Sequence, residues 1–316
     1  MAIYRAKKGI LLAKAESSYG VDPSPTITSL IAAEDVVVEK SAVNIKNKAL
    51  VGIHGDLPDI NYEGPCNIKF KTHLRVPGTA GNTPDIASLL KACSFDETIS
   101  AGVSVTYELE LTDGLLTPSV AFYFYDSGRF CKALGCVGKV KINAKAQDLV
   151  MLEWEFTGFW LAADIADEGY PSMVGVSALD SPAIFKSAEF NFNSYQALIE
   201  NLACDFGISV GRQVSANAAT GVARYRVQDF APKIDFDPEV VALSAFNPWT
   251  LWLAGTLAVL SAYFKSSSGQ VQLSMTGLQS EVPKEGEREE AQIYQMSAAC
   301  KTADFTAGYV ARLIYT

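Results

Sequence analysis

Few residues of this chain could carry catalytic chemistry. Its 316 residues include only two histidines, His54 and His73, and neither lies in a nucleophile or metal-binding motif. A histidine-dependent triad would have to use one of them, and no serine stands in a G-x-S-x-G turn. The sequence contains neither a P-loop nor a dinucleotide fingerprint. These observations argue against the common nucleophilic and nucleotide-dependent enzymes.

Three pairs of carboxylates spaced by two residues are the remaining catalytic candidates: Glu108/Glu110, Glu153/Glu155 and Asp235/Asp237. On a strand, residues two apart share a face, so each pair could perform the acid/base chemistry of a sugar hydrolase. The same spacing is typical of the polar face of an amphipathic strand, and we favour that interpretation. We therefore expect a non-enzyme without metal or cofactor. An acid/base glycosidase, inactivated by changing one paired acid to its amide, is the catalytic alternative.

Composition points to a globular protein that does not hold nucleic acid tightly. Hydrophobic residues make up 49% of the chain and charged residues 19%, and the net charge is −9. Tight, sequence-independent binding of nucleic acid needs clustered Lys and Arg, whereas a weakly repulsive surface suits nucleic acid that slides past. The six cysteines form no CxxC pair. We expect buried free thiols and a reducing cytoplasm.

Alternating hydrophobic and polar residues predict a mainly β fold. The clearest strand is Val103–Leu111, and 119–136 reads as a hairpin that turns at Asp126-Ser127-Gly128. The next pair is 138–146 with 149–161, in which Lys139 and Lys141 could pair with Glu153 and Glu155 across strands. The charge run Glu281–Glu290 reads as a solvated hairpin tip, with a contact loop as the alternative. The apolar stretch 249–264 is shorter than a membrane span and reads as a buried helix running into a strand.

The chain also contains a weak internal repeat. PCNIKF at Pro65 precedes a helix pattern that opens at Pro84, and PKIDF at Pro232 precedes another that opens at Pro248. A proline is favoured at the first position of a helix. The repeat predicts two tandem β units, each with a short helix that begins at a proline, although the first keeps a longer hairpin region after its helix. The predicted organisation is an arm at 1–30, a first β domain at 31–165, a linker at 166–182 and a second β domain at 183–316.

Three stretches resemble the major tail tube proteins of long-tailed bacteriophages and prophages. AESSYGVDPSPT at 15–26 is similar to the opening of that family. The stretch 132–158 is similar to its Gly-x-x-Gly signature, with an alternating strand, a turn and a strand that ends Phe-Thr-Gly. The stretch 224–257 is similar to its second-half pattern. The order of these stretches along most of the chain carries the resemblance, because each motif by itself is loose.

The resemblance implies that each unit is a β-sandwich or small barrel with a short flanking helix, and that the protein has a structural role in a virion tail. Subunits of this family join their inner sheets into a ring, and stacked rings form the tube that conducts the genome. Tandem-duplicated members form trimers that mimic rings of six domains, so a homotrimer is expected here, with a homohexamer as the alternative. The implied partners are further copies of the chain, the tape measure, terminator and tail-tip proteins, and viral DNA that passes without specific binding. Assembly in the bacterial host cytoplasm, without a membrane anchor, is implied as well.

Two sets of residues are candidates for this role. The expected lumen-facing residues are Glu108, Glu110, Asp235 and Asp237, on polar strand faces near the repeated helices. The expected ring-to-ring contacts lie in the arm 17–28 and the loop 44–59, namely at Ser17, Tyr19, Asp22, Pro23, Asn44, His54 and Asp56. A second class of function remains open, a carbohydrate- or receptor-binding β-sandwich that binds glycans through exposed aromatics such as Trp160.

Overall fold

The predicted mainly β fold is confirmed. The computed structural model describes residues 9–49, 57–110, 118–176, 179–301 and 309–316. Two short α-helices, α1 (Ala87–Ala92) and α2 (Pro248–Ala254), accompany the strands of the described ranges. Among the described residues, no helix has the length and apolarity needed to cross a membrane.

The strands of the first half and of the connection are β1 (Gly9–Ala15), β2 (Leu30–Ile31), β3 (Ala33–Ile45), β4 (Ile60–His73), β5 (Arg75–Val76), β6 (Phe95–Ser100), β7 (Ser104–Leu109), β8 (Val120–Asp126), β9 (Arg129–Lys145), β10 (Met151–Phe159), β11 (Ala166–Asp167) and β12 (Ser181–Pro182). Those of the second half are β13 (Asn191–Phe192), β14 (Asn201–Asp205), β15 (Ser209–Val214), β16 (Val222–Asp229), β17 (Lys233–Phe236), β18 (Leu257–Lys265), β19 (Gln270–Ser280), β20 (Lys284–Arg288), β21 (Ala291–Cys300) and β22 (Ala311–Tyr315).

The first half is a sandwich whose two sheets share β9. The first part of β9 pairs with β8, which pairs with β1. The later part pairs with β10, which pairs with β4, and β4 pairs with β3. Phe122 of β8 packs against Phe70 of β4 and Phe156 of β10, with ring centroids 5.8 and 4.9 Å apart. The hairpin predicted for 119–136 is confirmed as β8 and the first part of β9, but its return strand and the predicted strand 138–146 form one long strand, β9, that belongs to both sheets.

The second half repeats these antiparallel pairings in the same chain order. The pairs β1–β8, β3–β4 and β4–β10 of the first half correspond to β13–β18, β14–β17 and β17–β21 of the second. The pairs β8–β9 and β9–β10 correspond to β18–β19 and β19–β21. The helix α2 stands between β17 and β18 as α1 stands between β4 and β8. The hairpin β6–β7 after α1 has no counterpart after α2, which matches the longer hairpin region expected in the first half.

One sheet runs across the boundary between the halves. Strand β14 of the second half pairs with the end of β9, from Asn201 opposite Lys145 to Asp205 opposite Lys141. A second seam joins β22, near the C-terminus, to β7 of the first half. Short pairings also anchor both ends of the predicted linker, β11 to β9 and β12 to β5. The two halves are therefore hydrogen-bonded to each other along strands.

The two proline-led helices begin differently. Pro248 occupies the first turn of α2 as predicted, and the Asn247 side chain caps the helix by accepting from the Thr250 N–H at 3.1 Å. Helix α1 begins only at Ala87, three residues after Pro84, so the expectation that Pro84 opens the helix is wrong. Pro84 instead lies in the preceding turn, where its carbonyl accepts from the Ala87 N–H at 3.0 Å. Both Leu89 and Leu90 are fully buried, as the apolar stripe predicted.

The N-terminal region differs from the predicted arm. Gly9–Ala15 forms a strand that pairs with β8 over its whole length, so this part is integrated into the first sheet. The cysteines are free thiols, and all are buried except Cys300, which is half-buried. The prediction of buried free thiols is confirmed for five of the six.

Candidate functional site

The shared sheet has one polar face that extends from β3 to β19, which we call the polar face. The opposite face packs into the core through residues such as Ile68, Phe70 and Trp154. The charged side chains of the polar face include Asp35, Glu39, Lys69, Lys71, Lys139, Lys141, Lys145, Glu153, Glu155, Asp205, Lys233, Asp235 and Glu281.

Most of these charges are paired across neighbouring strands. Lys139 Nζ lies 3.0 Å from Glu155, as the sequence predicted, and Lys141 Nζ lies 2.7 Å from Asp205 rather than against a glutamate of β10. Lys233 pairs with Glu281 at 3.2 Å. Exposed pairs of this kind contribute only about 0–1 kcal/mol each, so their main effect is on the surface potential.

The polar face is concave and slightly acidic. The side chains named above comprise seven carboxylates and six lysines. Over the second half it curves around a depression of about 560 Å³ between β14, β17 and the hairpin β20–β21. Among the described residues, no cluster of His, Cys, Asp and Glu could hold a metal ion. Such a surface offers a polyanion no patch of unpaired cations to bind.

Two of the four expected lumen residues lie in β17 or just after it. Asp235 is exposed on the polar face, and its carboxylate accepts a hydrogen bond from the Ser297 hydroxyl. Asp237 lies beyond the strand end and is only 9% exposed. Its carboxylate accepts from the Glu200 and Asn201 N–H groups at 2.9 and 2.8 Å and pairs with Arg288 at 2.9 Å. In the single chain, the Asp237 side chain is therefore enclosed by its partners, and its place in a channel stays a prediction.

The other two expected lumen residues lie at the seam of β7 and β22. Glu108 stands opposite Arg312 and is half-buried. Burial raises the pKa of Glu108, Arg312 acts to lower it, and Glu110 and Asp96 act to raise it further. Glu110 is exposed just after β7. The structure therefore does not bring the four residues together.

Sequence reasoning missed most of the polar face as a unit. Its signal was present as Lys-x-Lys in β4 and β9 and Glu-x-Glu in β10, which are adjacent strands. The contribution of β14 had no such signal, because Asp205 comes next to Lys141 through a pairing between the halves.

Two of the expected ring-to-ring residues hold the N-terminal segment onto its own chain. The Tyr19 hydroxyl donates to the Gly135 carbonyl at 2.9 Å and accepts from the Tyr225 N–H at 2.6 Å, so it links both halves. Burial raises the pKa of Tyr19. The Asp22 carboxylate accepts from the Tyr123 hydroxyl at 2.6 Å and lies 3.2 Å from Lys132. Burial alone would raise the pKa of Asp22, but the hydrogen bonds lower it below its ordinary value.

Removal of the Tyr19 hydroxyl should destabilise the protein measurably. The substitution Tyr19→Phe leaves the Tyr225 N–H without its acceptor, and an unsatisfied buried donor costs about 1–3 kcal/mol. We expect the free energy of unfolding in urea to fall by that amount. Tyr62→Phe is the control, because Tyr62 is 40% exposed and should change stability by less than about 0.5 kcal/mol. Equal effects of the two substitutions would contradict the bridging role.

The remaining expected contact residues divide into three groups. Ser17 is exposed, and Pro23 is half-buried with its carbonyl accepting from Lys14 at 3.0 Å. Asn44 is exposed on β3 and donates to Asn61 at 2.8 Å. His54 and Asp56 lie outside the residues that the structure describes.

Two long hairpins project side by side from the shared sheet. One is the outer part of β3–β4 and the other is β15–β16, and a groove of about 210 Å³ between them is lined by Val43, Tyr62, Arg212 and Val214 among others. Exposed apolar side chains near the tips include Ile45, Ile60 and Val214, at 50, 60 and 68% exposure. Exposed apolar side chains that are grouped often mark a contact surface. Trp160 is half-buried and donates to the Ser41 carbonyl at 3.0 Å, so it is not the open aromatic that a glycan platform would need.

Comparison with known proteins leaves the geometry as the basis for a functional argument. A scan against protein-family models matches none of them, and a search of curated proteins gives no match.

Proposed function

We propose that this protein is a tail tube subunit of a long-tailed bacteriophage or prophage, a structural virion protein that assembles into stacked rings. The observation that carries the proposal is the β9–β14 junction, at which two topologically repeated halves already join into one sheet with a concave polar face. A chain that joins two equivalent units edge to edge has the geometry needed to continue the same joint with further copies.

The charge pattern of the polar face supports passage of DNA without binding. Its lysines are paired with carboxylates at 2.7–3.5 Å, and carboxylates outnumber lysines. A phosphate backbone would meet no uncompensated cationic patch, so it would release few counterions and gain little affinity. A ring built on this face would leave the genome free to move through its channel.

The projecting hairpins are suited to contacts between rings. They share a groove and expose the apolar side chains of Ile45, Ile60 and Val214 near their tips. In a stack, these tips would bury apolar area against the neighbouring ring, which is the ordinary driving force of association. The proposed partners remain other copies of the chain and the tail proteins that start and end a tube.

Negative-stain electron microscopy of the purified protein over a concentration series tests the proposal. We expect rings or tubes with a central channel, and threefold symmetry of whole chains, since each chain supplies two equivalent units. A sixfold ring of whole chains would contradict the proposed homotrimer but would still support the proposed tube-forming function. A protein that stays monomeric at every concentration, even with tail-tip proteins that start tubes, would overturn the proposal and favour a carbohydrate- or receptor-binding module.

A further inference from the structure

The repeated pairings assign equivalent positions in the two halves, residue by residue. Ile68 and Phe70 of β4 correspond to Ile234 and Phe236 of β17, because each pair is the Ile-x-Phe of a strand that follows a proline and lies between two equivalent strands, β3 and β10 in the first half and β14 and β21 in the second. On one side of these strands, Val38 stands opposite Ile68 and Cys204 opposite Ile234. One residue further along, Glu39 therefore corresponds to Asp205.

The strands that pair with the other edge of β4 and β17, namely β10 and β21, give a second set of equivalent positions. Trp154 opposite Phe70 corresponds to Met296 opposite Phe236, so Glu153 corresponds to Gln295. Glu153 stands opposite Lys141, and Gln295 stands opposite Lys284. Lys284 of β20 is therefore the counterpart of Lys141 of β9.

These equivalent positions predict how the pairing of β9 with β14 within one chain would be repeated between two copies of the chain. Within the chain, Lys141 of the first half meets Asp205 of the second half, with 2.7 Å between their charged atoms. The corresponding next joint would place Lys284 of the second half against Glu39 of a first half. Both residues are in the same chain at opposite ends of the shared sheet, so the joint requires a second copy.

We propose that β20 of one copy pairs antiparallel with β3 of the next copy, with Lys284 opposite Glu39 and Glu285 opposite Val38. This inference rests on the proposed ring assembly and specifies its interface. It is heterologous, because two different edges meet, and such a joint propagates around a ring until the rotation closes.

Both edges are available for this pairing. Within the described ranges, β20 pairs only with β21, and β3 pairs only with β4. Open edges carry unpaired backbone N–H and C=O groups that another strand can satisfy. Arg288, at the other end of β20, is held by Glu200, Asp237 and Glu239 of its own chain, so Lys284 is the cation of β20 that the pairing would bring to a carboxylate of the next copy.

The side chains at these edges are exposed in the single chain. Val37 of β3 is 47% exposed, and the salt bridge that Glu39 makes among the described residues is with the exposed Lys69, at 3.5 Å. Lys284 is exposed and makes no salt bridge within the part of the chain that the structure describes. The new strand pair would cover Val37 and give Lys284 the partner that Lys141 already has.

Disulfide trapping tests the register. The variant carrying Lys284→Cys and Glu39→Cys should, on mild oxidation of assembled protein, give a ladder of cross-linked copies on denaturing gels. Directly opposed residues of antiparallel strands bring their Cβ atoms within the range that a disulfide spans. Lys284→Cys with Asn44→Cys is the off-register control, since Asn44 is exposed on the same strand β3 but lies five residues, or about 15 Å, from Glu39 along the strand. The unsubstituted protein measures any background from its own cysteines.

Charge reversal gives a second readout that does not require new cysteines. Lys284→Glu should raise the concentration needed for assembly by about tenfold or more, since like charges would then meet, and Glu39→Lys in the same chain should restore assembly. Lys186→Glu is the matched control, because Lys186 is exposed and distant from both edges in the pairing scheme. Rings that form normally with Lys284→Glu, or that give no specific cross-link, overturn this interface but leave the tube proposal standing. If the unsubstituted protein never assembles, both the proposed interface and the proposed tube function are contradicted.

Discussion

Replacement of Asp237 by alanine should lower the free energy of unfolding by about 3 kcal/mol, because one carboxylate holds three separate segments together. It accepts from the Glu200 and Asn201 N–H groups, from the Asn201 side chain at 2.8 Å, and from Arg288 at 2.9 Å. Loss of one partner from a buried charged network typically costs about 3–5 kcal/mol. The lower end applies here, because Arg288 keeps Glu200 and Glu239 as partners at 3.3 and 3.2 Å.

The control for this substitution is two residues away on the same chain segment. Asp235 is exposed on the polar face, so Asp235→Ala should cost less than about 1 kcal/mol even though its hydrogen bond from Ser297 is lost. Urea unfolding followed by tryptophan fluorescence measures both variants. If the two variants have the same stability, Asp237 is an ordinary surface acid and its assignment to the buried network is wrong.

Local sequence patterns were sufficient to predict those structural features that depend on residues close together in the chain. The alternation of Ile68 and Phe70 with Lys69 and Lys71 predicted a strand with one buried face, and Pro248 correctly predicted the start of α2. The Lys139–Glu155 pair was also predictable, since it joins consecutive strands through a short turn. These features depend on side-chain periodicity and helix-start chemistry, which are visible in a short window of sequence.

Features that depend on distant partners could not be predicted in the same way. Gly9–Ala15 becomes a strand because β8, more than a hundred residues later, offers an open edge. Asp237 was expected on an open face because the two-residue spacing extended the β17 pattern past Phe236, where the strand in fact ends. The β9–β14 junction likewise has no local signal, because backbone pairing between distant strands leaves little trace in either sequence.

The substitution Gly207→Ala should be the most damaging single methyl addition to the second half, and it tests how the projecting hairpin is anchored. Gly207 lies between β14 and β15, where the chain leaves the shared sheet for the hairpin β15–β16. Its φ is +60°, and an added Cβ would lie 2.1 Å from the Ala231 carbonyl oxygen. That contact is with backbone, so no side chain can move aside. We expect a loss of about 3 kcal/mol or more in the free energy of unfolding.

Gly221→Ala separates the clash from the backbone strain. Gly221 lies at the far end of the same hairpin with φ of +73°, but nothing lies within 4 Å of the added Cβ. Its cost should therefore be only the left-handed strain of about 1–2 kcal/mol. Since Gly207 sets where the hairpin leaves the sheet, Gly207→Ala should also impair stacking of rings more than their formation, whereas Gly221→Ala should leave rings and stacks intact. Electron microscopy of both variants below their unfolding temperatures measures this difference, and equal stacking by the two would contradict a role for the hairpin in contacts between rings.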